Sequence, residues 1–198
     1  MTRPYKLRIT LDDTSYSDSA VRAVLEEELG QKYELELFGL LLEEVTAVEQ
    51  VLINFAFWLA KEIGIGVLRQ LGKDLYTAGK RFFSTKGGEK AQAATFEAKT
   101  SGPELKFVFL LDAMDTPEQF AALFSRSLMS SLEMVEQDPR LQRCQYVAFR
   151  WNEQSSRPEP WQALPRDWPK DLSYYEWDGR CWQVKTKWGG PSSDGKTT

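Results

Sequence analysis

Glu97-Ala98-Lys99 sets a carboxylate and an ammonium two residues apart, which on a strand puts both on one face. Such a carboxylate can bind Mg²⁺ while the lysine stabilises an attacking hydroxide, provided a second acid stands on the neighbouring strand. The nearest upstream acid, Asp74, falls within a helical pattern. Asp12 and Asp13 also follow a strand pattern, but adjacent residues on a strand point apart and cannot serve one reacting atom. A turn with an Asx cap accounts for them. Asp112 and Asp115 sit where a helix begins, so the helix dipole explains their charge. Gly64-Ile-Gly66 and Gly87-Gly88 lack the spacing of dinucleotide or Walker loops.

The chain of 198 residues contains no histidine. That removes Ser-His-Asp and Cys-His activation, Cys₂His₂ zinc, histidine-ligated haem and a histidine pH switch. The two cysteines, Cys144 and Cys181, are too few for a zinc tetrad or a disulfide framework. They read as reduced thiols of a cytoplasmic protein, with no cofactor implied. A net charge of −4 argues against general nucleic-acid binding. The balance is uneven: residues 140–198 carry ten Lys/Arg and seven Asp/Glu, so +3, leaving −7 for residues 1–139.

The elements that would position these groups follow from periodicity. Leu7, Ile9 and Leu11 alternate with Lys6, Arg8 and Thr10, as on a half-buried strand. Ser17 or Asp18 can cap a helix with Val21, Val24, Leu25 and Leu29 inward, and Gly30 stands where a left-handed cap belongs. Tyr33, Leu35 and Leu37 form a second alternating strand of a short βαβ unit, parallel to the first or separated from it by one inserted strand. If the two are neighbours, acidic Glu34 and Glu36 would pair with basic Lys6 and Arg8. Apolar residues from Glu43 to about Phe83 recur at three- and four-residue steps, which predicts a long helix kinked at Gly64 and Gly66. Its apolar stretch Val51–Ala60 is too short to span a bilayer, though it could lie on a membrane surface. Thr95–Lys99 and Leu105–Leu111 read as a hairpin. Thr116-Pro117-Glu118-Gln119 is a capping box, and Asp138-Pro139 ends its helix. Tyr146–Trp151 is a further strand, and Asp178-Gly179 joins Tyr174–Trp177 to Arg180–Val184 through a type I′ turn.

The expected fold is therefore α/β or α+β, a mixed sheet in the order βαβ-α-ββα-β. It carries a long kinked apolar helix and a Trp-rich C-terminal hairpin. Residues 1–151 read as the core domain, 152–188 as a Pro/Trp-rich appendage and 189–198 as a disordered tail. Six of the seven tryptophans lie between Trp151 and Trp188. Aromatics of this density are the usual anchors of protein interfaces. Trp161, Trp168, Tyr174, Trp177, Trp182 and Trp188 are the expected partner-binding residues, joined by Lys80 and Arg81 of a basic-aromatic helix end.

Leu164–Trp168, Asp178–Arg180 and Trp188–Pro191 resemble the landmarks of a WW domain, but no third-strand Asn-His or Thr-Thr precedes Trp188. Glu97 and Lys99 resemble half of a PD-(D/E)xK nuclease motif, which keeps a metal-dependent nuclease as a minor alternative. In element order, residues 6–135 resemble the effector-associated constant component domains of bacterial conflict systems. The matching features are the first alternating strand, the long helix over 45–83, the Phe96–Leu111 hairpin and the Thr116 helix. The resemblance implies a non-catalytic adaptor that docks an effector protein in bacterial defence. An acidic immunity protein that occludes a toxin is the alternative.

Overall fold

The computed structural model describes residues 6–40, 53–59, 64–85, 92–166 and 173–186. Nine strands build one mixed sheet in the order β2-β1-β3-β4-β5-β6-β7-β8-β9. The strands are β1 (Lys6–Asp12), β2 (Glu34–Leu40), β3 (Ile53–Trp58), β4 (Ala93–Lys99), β5 (Glu104–Leu110), β6 (Cys144–Asn152), β7 (Arg157–Pro165), β8 (Ser173–Trp177) and β9 (Trp182–Thr186). The mixed α/β sheet expected from the alternation is thus present. Between strands lie α1 (Asp13–Ser17), α2 (Ser19–Leu29), α3 (Ile65–Thr85), α4 (Pro117–Gln137) and α5 (Pro139–Gln142).

The long helix expected over 45–83 is corrected in its first half. Ile53–Trp58 is a central strand, parallel to β4 and antiparallel to β1, and the helix begins only at Ile65. Ile53, Phe55 and Phe57 face the helices, and Ala56 is buried on the other side. Burial on both faces erases the polar alternation that marks a strand, so the run imitates helical spacing. Residues 43–52 and the rest of that prediction up to the helix, apart from 53–59 and Gly64, lie outside the described residues.

Local signals elsewhere act as expected. The Asp18 carboxylate accepts from the Ala20 and Val21 amides at the head of α2. Thr116 Oγ1 accepts from Gln119 N at 3.2 Å, while the Gln119 amide oxygen accepts from Asp115 N, one residue outside the usual box partner. Gly30, expected in the left-handed region, is right-handed at φ −63°. The amides of Lys32 and Tyr33 both reach the Leu29 carbonyl, so the helix end closes without a left-handed residue.

α2, α3 and α4 lie side by side on one sheet face. Beneath them Phe96 and Phe109 meet Phe120 and Phe124 of α4, with Phe55 stacked on Phe96 and Phe107 against Phe109. Phe107 stacks on Phe149 with ring centroids 4.7 Å apart. α3 approaches α4 closely because Gly72 has no side chain: a Cβ there would stand 3.0 Å from Ala121 Cα. Asp74, also on α3, is buried and accepts from Tyr33 Oη at 2.8 Å and Lys32 Nζ at 2.7 Å, tying the α2–β2 junction to α3.

Three parallel crossovers, β1-α2-β2, β3-α3-β4 and β5-α4-β6, share this helical face. The first two step in opposite directions along the sheet with reversed strands, so they have one hand. The third steps as the second does but on strands running the other way. Its hand is therefore opposite, and at least one crossover is of the rare left-handed kind.

Beyond β6 the sheet continues as an antiparallel meander, β6-β7-β8-β9, across the expected boundary at residue 152. No helix among the described residues is long and apolar enough to cross a membrane.

Candidate interaction trough

The sheet face opposite the helices, uncovered by any other element among the described residues, carries Glu97 and Lys99. Glu97 pairs across the hairpin with Lys106, Nζ to Oε1 3.2 Å, and Lys99 Nζ stands 5.0 Å over the Trp58 ring. Arg8 lies 4.7 Å over Phe38 and also reaches Glu36 at 3.3 Å. Glu104, beside Glu97, has its carboxyl pushed above the usual range, chiefly by burial and then by its hydrogen bond with Glu97. Asp74 is on the opposite side of the sheet, held by α2 and α3. Among the described residues no three His, Cys, Asp or Glu side chains converge as a metal site. Cross-strand ion pairs of Lys6 and Arg8 with Glu36, and of Lys106 with Glu97, engage much of the charge on this face, as opposite charges on neighbouring strands do.

The expected partner-binding residues are dispersed. Arg81 ion-pairs with Glu27 and Glu28 of α2, so the basic end of α3 is engaged inside the helix layer, with Lys80 half-buried beside it. Phe82 and Phe83 of that patch are core residues. Tyr174 shares the alternation of Glu176, which points to the uncovered face, whereas Tyr175 and Trp177 pack against the core. Trp161 is 42% exposed and is the extra residue of a bulge, because Ala148 opposes Gln162 while Phe149 opposes Pro160. Trp182 is 5% exposed and packs edge-on against Trp177, centroids 5.4 Å apart. Trp168 and Trp188 lie outside the described residues.

Trp177 and Trp182 are brought together with α4. The turn between their strands has four residues, Asp178–Cys181, where two were expected. Asp178 Oδ1 accepts from the amides of Arg180 and Cys181, each at 2.8 Å, and Gly179 takes φ +96°. Those amides, with Gln183, hold the Asp178 carboxyl down to about 2. The longer loop exists because the carboxylate binds two main-chain donors that a two-residue turn would direct elsewhere. The hairpin is fastened to α5 by Arg140, which donates to the Trp182 carbonyl at 3.4 Å and grips Asp138 at 2.7 and 3.0 Å.

A hollow of about 610 Å³ opens between this hairpin and the C-terminal half of α4, lined by Ser130, Met134, Trp177, Arg180 and Trp182. A second, of about 240 Å³, lies farther up α4 between Arg126, Ser127 and the Phe149/Pro158/Pro160 surface of β6 and β7. Ser130 and Met134 line both, so the two hollows form one trough alongside α4.

No family model, curated protein or solved structure matches this chain.

A third hollow, about 530 Å³, lies between Met129, Leu132 and the Thr100–Pro103 turn. It contains none of the aromatic residues singled out from the sequence. Sequence reasoning missed the α4 wall of the trough, since Ser130 and Met134 belong to an unremarkable amphipathic pattern. It missed Arg126 and Arg140 for the same reason. The Arg180 position was visible only as part of the turn.

Cys144 is buried, and desolvation pushes its thiol up to about 11, well away from nucleophile chemistry. Cys181 is exposed at the trough rim.

Proposed function

We propose that this chain is a non-catalytic protein-interaction module, an adaptor that holds a partner protein in the trough between α4 and the β8–β9 hairpin. One observation carries the reading. Among the described residues the helix layer ends at α4, yet three further strands extend the same face and present Tyr175 and Trp177 on it. Half-buried Trp beside Met in a shallow groove, ringed by polar and charged side chains, is the composition of interface hot spots. An effector or other protein of a bacterial conflict system remains the proposed partner. That part rests on the likeness in element order, one of whose four features is altered because Ile53–Trp58 is a strand.

The test is site-specific photo-cross-linking. A benzophenone amino acid replaces Ser130 in the trough or Val108 on the uncovered face, both exposed. In extracts of the native host, the adaptor reading expects one defined protein adduct at Ser130, suppressed by Trp177→Ala, and none of it at Val108. Equal adducts at both positions, or none at Ser130, would sink the reading.

A further inference from the structure

We infer that the occupant of the trough is an amphipathic α-helix with acidic residues at both ends of its apolar stripe. The inference rests on the trough being an interaction site and adds the chemistry of what enters it.

The case for a helix comes from the architecture. α2 covers the β1–β2 pair, α3 the β3–β4 pair and α4 the β5–β6 pair, each as the crossover of its own parallel unit. β7, β8 and β9 pair antiparallel in chain order, and among the described residues no helix covers them as α2, α3 and α4 cover the parallel pairs. Three strands at about 4.8 Å spacing span roughly 14 Å, and a helix with its side chains is about 10–12 Å across. The vacant position is therefore one helix wide. The exposed α4 wall there is made largely of Ser127, Ser130 and Met134, short or adaptable side chains that let a neighbouring helix approach. On the floor, Pro158 and Pro160 of β7 and the half-buried Trp177 of β8 offer apolar surface and few main-chain donors.

The case for acidic ends comes from charge. Arg126 stands at one end of the trough and Arg180 at the other, both exposed and without an ion-pair partner among the described residues. The other charges at the ends are already engaged: Arg140 with Asp138 and Arg157 with Glu159. Glu133 on the α4 wall also has no ion-pair partner among the described residues. From Arg126 to Gln137, which also lines the trough, α4 rises roughly 17 Å at ~1.5 Å per residue. A docked helix that fills this length has about eleven residues, close to three whole turns, so acids at its two ends fall on its apolar side, one toward Arg126 and one toward the hairpin that carries Arg180.

The experiment uses the full chain and three fluorescent peptides of about 18 residues. The first is helical, with a leucine stripe bounded by glutamates about eleven positions apart. The second has lysines in place of those glutamates, and the third keeps the glutamates but has a central proline that breaks the helix. Fluorescence anisotropy should show saturable binding of the first peptide, and binding weaker by about tenfold or more for the other two. Arg126→Glu combined with Arg180→Glu, at exposed positions, should leave the thermal melt unchanged and reverse the order of the first two peptides. Ser130→Arg should abolish binding of all three. Equal binding of the glutamate and lysine peptides, equal binding of the proline peptide, indifference to Ser130→Arg, or no binding at all overturns the inference. The Ser130 cross-link reports separately on whether the trough is an interface, so the two failures are distinguishable.

Discussion

The Arg140 guanidinium donates to the main-chain carbonyl of Trp182 across 3.4 Å and 42 positions of sequence. The same group clamps the Asp138 carboxylate, which caps α5 by accepting from Arg140 N. One side chain thus joins the end of the α4–α5 corner to the last strand and fixes one wall of the trough relative to its floor. Arg140→Ala should loosen the hairpin, seen as faster hydrogen exchange of the β8–β9 amides with little change in β4–β5. It should also raise the Asp138 pKa toward its ordinary value, since the Arg140 hydrogen bond is the largest cause of its depression. A carboxyl depressed in the folded state lends stability above its unfolded pKa of about 3.8, lost as pH falls through the lower folded value. In Arg140→Ala the folded and unfolded values draw together, so this acid-sensitive contribution should shrink, which an NMR titration of Asp138 alongside urea midpoints would follow.

Gly72 is expected to resist substitution despite its helical setting. Alanine gains about 1 kcal/mol of helix propensity over glycine. The new methyl, however, would meet Ala121 Cα at 3.0 Å and the Phe124 ring at 3.1 Å. Overpacking of this kind costs about 1–3 kcal/mol, so Gly72→Ala should be destabilising by about 1 kcal/mol net. Gly66→Ala, with nothing within 4 Å, should be neutral or slightly stabilising. Urea unfolding of the two variants separates the cases.

Asp74 gathers donors from three sources: Tyr33 Oη, Lys32 Nζ and Gln70 Nε2. Asp74→Ala should cost about 2–4 kcal/mol, because a buried charged acceptor is lost from a network that joins α2, β2 and α3. Asp74→Asn should recover part of this by keeping an acceptor oxygen. Glu97→Gln on the uncovered face, by contrast, should be mild in denaturant melts.

Glu104 makes stability fall as pH rises. Its carboxyl is raised by burial and by Glu97, and one of its oxygens is buried without a hydrogen-bond partner. The folded state therefore holds the proton more tightly than the unfolded chain does. Its contribution is greatest below the unfolded value of 4.5 and is lost as pH rises through the higher folded value. Glu104→Gln should flatten that slope and make the protein relatively more stable at neutral pH, measured as urea midpoints across the acid-to-neutral range.

Trp177 and Tyr174 test which sheet face binds. They are three residues apart, so alternation sends them to opposite faces. Trp177→Ala should weaken partner capture by about 2 kcal/mol, roughly thirtyfold, if it is a hot spot. Tyr174→Ala should leave capture within about twofold. Equal losses would move the interface away from the trough.

Much of the scaffold was legible locally. Leu7-Ile9-Leu11 and Phe96-Ala98 alternate because one face meets helices and the other does not. Asp18 and Thr116 announce helix starts because unpaired amides there need an acceptor within a few residues. β3 was hidden for the opposite reason. In Ile53–Trp58 the residues facing either side are mostly apolar, and Phe55 and Trp58 also satisfy a helical step. Only pairing with β1 and β4, 40 or so positions away in either direction, decides between strand and helix.

The same division applies to the candidate site. The amino-acid sequence by itself determined that aromatics crowd after Trp151, that no histidine is present, and that β8 and β9 form a hairpin around Asp178 and Gly179. Those depend on composition and on contacts between near neighbours. Tertiary structure alone decided that Trp182 is buried, that Trp177 rather than Tyr174 takes the face that meets the core, and that Arg81 joins the helix layer with Lys80 half-buried beside it. It alone set Ser130 and Met134 of α4 opposite Trp177. These outcomes depend on which strand edge pairs with which and where the helix layer stops, and neither is encoded within any single stretch of chain.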